Sequence, residues 1–282
     1  MTSVLVNTRR EVRGSFVTFV VVVVSCVVST PMSAQWLHYP TAGVPRTDRG
    51  TADLKAPVPK TADGKPDFSG IWAPEDNRPC PPGGCPDMKV PQEFVNIGWS
   101  LKSGLPYQTW AADIVKTRRA ENGKDDPSTH CLPGGVVKGH TTPLLRKIVQ
   151  VPGLVVILKE SNASYRQIFT DGRPLPVDPQ PSFEGYSSGR WEGDTLVVQT
   201  SGFRDGLWLD RSGSPLTESA QLTERFRRVN YGRLEIEITV NDPKAYTQPW
   251  TVTMNHFIVL DTELLDYICL ENEKDLVHLV GR

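Results

Sequence analysis

The chain has 282 residues, with 31 basic and 32 acidic side chains and a net charge of −1. No basic stripe stands out, which argues against a nucleic-acid partner, and the length allows one large β domain or two small ones. Gly 23 and Pro 24 favour a loop-rich β protein over a helical one.

Residues 1–34 read as a secretory signal peptide. Arg9, Arg10 and Arg13 form a positive start, residues 16–28 are almost unbroken apolar, and Pro31-Met32-Ser33-Ala34 offers small residues for cleavage before Gln35. The apolar run is shorter than the roughly 20 residues that span a bilayer, and no basic stop-transfer cluster follows it. The expectation is a periplasmic or secreted protein with no stable membrane span after cleavage. Val23-Val24-Ser25-Cys26 loosely fits a lipobox, but Cys26 lies inside the apolar run rather than at its end.

Cleavage would leave Cys80, Cys85, Cys131 and Cys269. An even count in an exported chain favours disulfides. Cys80 and Cys85 flank the turn Pro81-Pro82-Gly83-Gly84, which leaves Cys131 to pair with Cys269. The rival is a metal site built from Cys80, Cys85 and Cys131 with His130 or His140, but no second tight pair supports it. Neither a metal nor a cofactor is expected.

Residues 35–66 are rich in Pro, Thr, Gly and charge and show no apolar period, so they read as an extended arm or linker. The folded part begins at residue 67, with Asp67-Phe68-Ser69-Gly70-Ile71-Trp72, and residues 67–282 read as a single domain. Within it, residues 106–121 form the one good helix candidate, a helical insertion near 106–122: Trp110, Ile114 and Val115 fall at helical spacing and Lys116, Arg118 and Arg119 suit the C-terminal end. After residue 140 the pattern changes to strands. Segments at 147–151, 154–159, 164–170, 195–200, 222–229, 234–240, 250–260 and 264–270 are separated by turns such as Pro152-Gly153, Asp171-Gly172 and Asn230-Tyr231-Gly232. The clearest is Leu234, Ile236, Ile238 and Val240 alternating with Glu235, Glu237 and Thr239. Eight to ten strands at short spacing predict antiparallel neighbours. Closing such a meander into an up-and-down barrel removes its edges and leaves room for a small ligand.

Two resemblances bear on this. Phe68-Ser69-Gly70-Ile71-Trp72 resembles the Gly-x-Trp that opens the first strand of lipocalins and other calycins, where the tryptophan packs across the barrel floor against an arginine from a late strand. That resemblance implies Arg225 or Arg227 as the arginine. The stretches KPDFSGIW, YRQIFTDGRPLP, GRWEGDTLVVQTSGF, LTERFRR and DPKAYTQPWTV, spread over residues 60–275, resemble a family of secreted, uncharacterised proteins from Gram-negative soil and aquatic bacteria. It implies export and a β-rich fold, and carries no catalytic residue with it.

Candidate site residues are those that interrupt apolar patterns. Glu192-Gly193-Asp194 suggests a carboxylate pair, but a glycine between two polar residues ahead of a strand reads as a hairpin tip. His256 shares a face with Trp250, Val252 and Met254. Arg166 shares one with Ile168 and Thr170, opposite Tyr165, Gln167 and Phe169. Glu224 lies with Leu222 and Phe226, opposite Arg225 and Arg227. In residues 203–210, Trp208 turns inward ahead of Asp210, as a lid or a plug. The segment 129–140 offers Cys131 and His140 as a thiolate pair, against a disulfide at Cys131. The standard serine hydrolase, zincin and dinucleotide-binding signatures are absent.

The leading expectation is an exported protein that binds a small, partly apolar molecule in the barrel, through Arg166, Trp208, Asp210, Arg225, Trp250 and His256. Two alternatives stay open. One is an acid–base hydrolase, lyase or isomerase using Glu224 and His256. The other is a cell-envelope interaction module with a filled barrel. The sequence sets no oligomeric state.

Overall fold

The computed structural model describes residues 39–76 and 90–269. The signal-peptide segment, Cys80 and Cys85 lie outside the described residues. The strands are β1 (Gly70–Pro74), β2 (Arg146–Val151), β3 (Leu154–Lys159), β4 (Tyr165–Phe169), β5 (Tyr186–Glu192), β6 (Thr195–Ser201), β7 (Leu207–Trp208), β8 (Pro215–Leu216), β9 (Gln221–Asn230), β10 (Arg233–Asn241) and β11 (Trp250–Val259). The helices are α1 (Gln92–Val95), α2 (Thr109–Ala120) and α3 (Gly135–Thr141), with a 3-10 turn at Pro127–His130. Among the described residues none of these is long and apolar enough to cross a membrane.

Nine of the described strands close into a barrel in the order β1-β11-β10-β9-β6-β5-β4-β3-β2, with β1 pairing β2 to complete the ring. The barrel expected from the sequence is present, but it is mixed rather than purely antiparallel. Around a closed ring antiparallel neighbours must alternate in direction, and an odd number of strands cannot do so throughout. One junction has to be parallel, and it falls between β4 and β5, which share only the pairs Ile168 with Ser187 and Phe169 with Ser188. The Asp171-Gly172 turn therefore opens a long crossover to β5 rather than a hairpin, as parallel neighbours require.

The period-2 patterns decide what lies inside. Leu234, Ile236, Ile238 and Val240 of β10 are buried, as are Leu222, Glu224, Phe226 and Arg228 of β9 and Trp250, Val252, Met254, His256 and Ile258 of β11. Glu192 and Thr195 pair across a two-residue loop in which Gly193 has φ 60°. Glycine takes that conformation freely, so the stretch is a hairpin tip, and Glu192 points outward to Arg190 and Arg225.

At one end of the barrel Trp72 and Phe68 form a floor. Trp72 Nε1 donates to the Phe68 carbonyl at 2.9 Å, and Phe68 packs against Trp191 and Phe226. The arginine over Trp72 is Arg228, its guanidinium 5.0 Å from the ring centroid, and it also donates to the carbonyls of Asp67 and Tyr231. Arg225 and Arg227 sit at the opposite parity on β9 and pair outside the barrel with Glu192 and Glu235. Assigning either of them to the floor is thus corrected by strand parity.

Residues 40–66 run as successive turns with isolated bridges between Arg46 and Ala52 and between Lys60 and Pro66. They meet the β9–β10 turn, where Tyr231 N–H donates to the Ala56 carbonyl and Gly232 N–H to that of Leu54. Cys131 and Cys269 form a disulfide with Cα atoms 5.4 Å apart, tying the 3-10 turn to the far end of the described chain.

Candidate functional site

The inner face of the barrel carries one polar level. Glu224 on β9 is fully buried, and Arg166 on β4 reaches it across the interior. Arg166 Nη1 donates to Glu224 Oε1 at 2.9 Å, and Nη2 donates to Oε2. The same guanidinium donates to Ser187 Oγ on β5 through Nε at 3.1 Å and to Thr200 Oγ1 on β6 at 2.9 Å. Burial alone would raise the Glu224 pKa. The Arg166 charge, with hydrogen bonds from His140 and Arg166, overrides it and holds the carboxyl at about 2.

His140 enters this level from α3. The helix is held at its middle and at its C-terminal end. Lys138 is paired with Asp126, the cap of the 3-10 turn, with Nζ 2.6 Å from Oδ1, and Arg146 donates to the carbonyls of His140, Thr142 and Leu144. Gly135 starts the helix at φ 75°, where a Cβ would meet the Phe183 carbonyl oxygen at 3.0 Å, so glycine is needed there on two counts.

His140 Nε2 lies 2.9 Å from Glu224 Oε1. Because Glu224 is ionised, this nitrogen carries the proton and Nδ1 is left with a lone pair. His256 Nε2 lies 2.5 Å from Arg146 Nη1 and 2.9 Å from the His140 carbonyl. A guanidinium can only donate and a carbonyl can only accept, so the two contacts call for opposite roles of His256 Nε2. The two rings stand edge to face with centroids 5.9 Å apart. Neither Nδ1 has a hydrogen-bond partner among the described residues, although both are buried. Burial lowers the pKa of His140 against the pull of Glu224; burial and the Arg146 charge lower that of His256 well below its ordinary value. Burial also brings Arg146 down to about 9.

The seam gives this level a side wall. Where β4 and β5 part, a cleft of about 740 Å³ lies between Tyr165, Phe169 and Tyr186 and the crossover residues Arg173, Pro174, Leu175, Pro176 and Val177, with Arg166 and Ser187 on its inner wall. Arg173 stacks over Phe169 at 3.8 Å and pairs with Asp171, which fixes that side of the crossover.

Of the residues expected at a site, Arg166, Glu224 and His256 share the polar level, and Trp250 is buried on the same strand as His256, beside Tyr246. Trp208, on β7, and Asp210, in the β7–β8 turn, lie outside the barrel. Arg118 stacks on Trp208 at 4.4 Å. Asp210 accepts from Ile97 N–H, Ser214 N–H and Ser214 Oγ, so it fastens α1 to the β7–β8 hairpin. Arg225 faces outward. In the rival metal set, Cys131 is bound to Cys269 and His140 to Glu224. Arg146, Ser187 and Thr200 escaped the sequence expectation, and His140 entered it only as a metal ligand or as the partner of Cys131. The alternation of Arg146 with Ile148 and Gln150 on β2 was the one signal available for Arg146.

No protein-family model matches the chain, and no curated protein matches its sequence.

Proposed function

We propose that the protein is exported and binds a small, partly apolar molecule in the cleft at the β4–β5 seam. The observation that carries this is the cleft itself. Its volume of about 740 Å³ falls in the range of ligand pockets, and its lining combines aromatic and prolyl side chains with Arg166, Gln167, Arg173, Ser182, Glu184 and Ser187. Arg166 and Ser187 join it to the buried polar level, so a ligand's polar end would meet groups already held in place. Export is supported by the Cys131–Cys269 disulfide and by the leader-like start of the sequence. A calycin-like ancestry is supported by Trp72 beneath Arg228. The test is titration with the fluorophore 1-anilinonaphthalene-8-sulfonate, comparing the native chain with Gln167→Trp, an outward-facing change that fills the cleft. The expected result is one saturable site in the native chain and binding at least tenfold weaker in the variant. Equal binding by both would remove the cleft from the account.

One observation favours catalysis as a second reading. Glu224 holds Nε2 of His140 and leaves Nδ1 unprotonated, the arrangement of a general base with its orienting carboxylate. Under this reading His140→Gln abolishes turnover of a responsive chromogenic substrate while leaving cleft binding intact, and unchanged turnover excludes it.

A further inference from the structure

The seam leaves part of β4 without a neighbour on one side. Lys159 N–H donates to the Ser164 carbonyl and Thr170 N–H to the Gly153 carbonyl, both at 2.8 Å. The register between them is unbroken, from Leu154 with Phe169 to Leu158 with Tyr165. Alternate residues of a strand bond to opposite sides. The main-chain groups of Arg166 and Ile168 therefore turn toward β3, and those of Tyr165 and Gln167 toward β5. Pairing with β5 begins only at Ile168 with Ser187. Ahead of it, no strand among the described residues stands opposite the Tyr165 N–H and C=O or the Gln167 N–H. Both residues line the cleft, as do Glu184, Gly185 and Tyr186 where the chain enters β5. An open strand edge is a template for another extended chain, and main-chain pairing along such an edge is a recurring way to hold a peptide. The charged groups of the lining already have counter-ions: Arg166 has Glu224, Arg173 has Asp171 and Glu184 has Lys159. A free carboxylate or ammonium brought into the cleft would find no charge left to pair with, whereas a neutral main chain needs none.

We propose, resting on the cleft as the binding site, that its ligand is a short, extended stretch of neutral peptide, added as a strand to the open edge of β4. One ligand residue exchanges N–H and C=O with Tyr165, and the carbonyl two residues away accepts from Gln167 N–H. Three ligand residues, at about 3.3 Å each, cover the edge from Tyr165 to Gln167. Residues opposite each other on paired strands share a face. The ligand side chains opposite Tyr165 and Gln167 therefore point outward, among Phe169, Pro174 and Pro176, and are apolar. The side chain between them points at Arg166 and Ser187 and is small and polar.

The test uses the full chain and a pool of end-blocked tripeptides with Val, Leu or Phe at the first and third positions and Ser, Thr or Asn at the second. Displacement of 1-anilinonaphthalene-8-sulfonate is read together with hydrogen exchange at the individual amides of Tyr165 and Gln167. The expected result is competition with the fluorophore, with exchange at both amides slowed by about tenfold or more as they gain main-chain partners. The same pool N-methylated at every residue competes about tenfold more weakly, because the Tyr165 carbonyl loses its donor. Gln167→Pro removes one unpaired N–H, a change that a strand edge tolerates, and binds the pool more weakly than Gln167→Ala does. If the proline variant does not fold, the N-methylated pool decides. Equal competition by the N-methylated pool, or competition with no slowing of exchange, overturns strand pairing and leaves a cleft that takes other molecules. A fluorophore that saturates its site and is not displaced by the pool does the same. Slow exchange at both amides before any peptide is added means that another segment already pairs with the edge, and this also overturns the proposal. A fluorophore that finds no site, with no protection by the pool, removes the cleft itself.

Discussion

Replacing Glu224 by Gln leaves the Arg166 charge buried in the barrel with no carboxylate against it, and keeps an oxygen to accept from His140. Breaking a buried pair by removing one partner costs about 3–5 kcal/mol. The ionisation of Glu224 gives a second route to the magnitude. Its pKa moves from 4.5 to about 2 on folding, and at 1.36 kcal/mol per unit that is about 3 kcal/mol. The variant should therefore lose about 3–4 kcal/mol in urea unfolding at pH 7, followed by tryptophan fluorescence, with a midpoint about 1–2 M lower. Arg166→Met in the Glu224→Gln background removes both charges, and Ser187 Oγ and Thr200 Oγ1, 3.0 Å apart, still bond to each other. The double variant should be the more stable of the two. A loss under about 1 kcal/mol for Glu224→Gln, or a double variant weaker than the single one, would refute the reasoning.

Acid should unfold the protein in two stages. His140 and His256 have folded pKa values below 6.5; below pH 6.5 the unfolded chain takes up protons that the folded chain refuses, so stability falls with pH from there. The depressed Glu224 pKa adds stability above 4.5 that is lost as pH falls from 4.5 to about 2, and urea midpoints measured from pH 8 to 3 should show both slopes. Arg228→Ala strips donors from the Asp67 and Tyr231 carbonyls and should cost about 2–3 kcal/mol, whereas Arg227→Ala, on the outer face, should cost less than about 0.5 kcal/mol by the same assay. Gly135→Ala should cost about 1–2 kcal/mol through its left-handed backbone alone, more if the Phe183 carbonyl cannot move. Cys131→Ser with Cys269→Ser opens a loop of sequence separation 138 and should lower stability by about 2–5 kcal/mol in calorimetry.

Much of the polar level was legible in the sequence because strand alternation is local. Arg166 beside Ile168, Glu224 between Leu222 and Phe226, and His256 after Met254 each reveal their face from neighbours two residues away. The same alternation runs on to Arg228, which fixes the floor arginine by parity, where the motif by itself points to Arg225 or Arg227. What was not legible depends on long-range closure. The choice among eight, nine or ten strands is made by pairing across the whole chain, and an odd number forces the parallel seam and hence the cleft. The sequence offered His140 only beside Cys131 or a metal, and its entry into the barrel was hidden for another reason. Six of the seven residues of α3 are buried, so the helix has no polar face and no amphipathic period. Trp208 and Asp210 have the composition of a lid around a ligand, yet they bind neighbouring loops, a distinction that burial settles and sequence does not.

Native mass spectrometry of the full protein, purified without denaturation from cells that export it, tests the central claim most directly. The account predicts a bound organic species of defined mass in the native chain and its loss in Gln167→Trp, with the Cys131–Cys269 disulfide intact in both. A bare native chain, or the same bound mass in Gln167→Trp, would contradict binding at the seam.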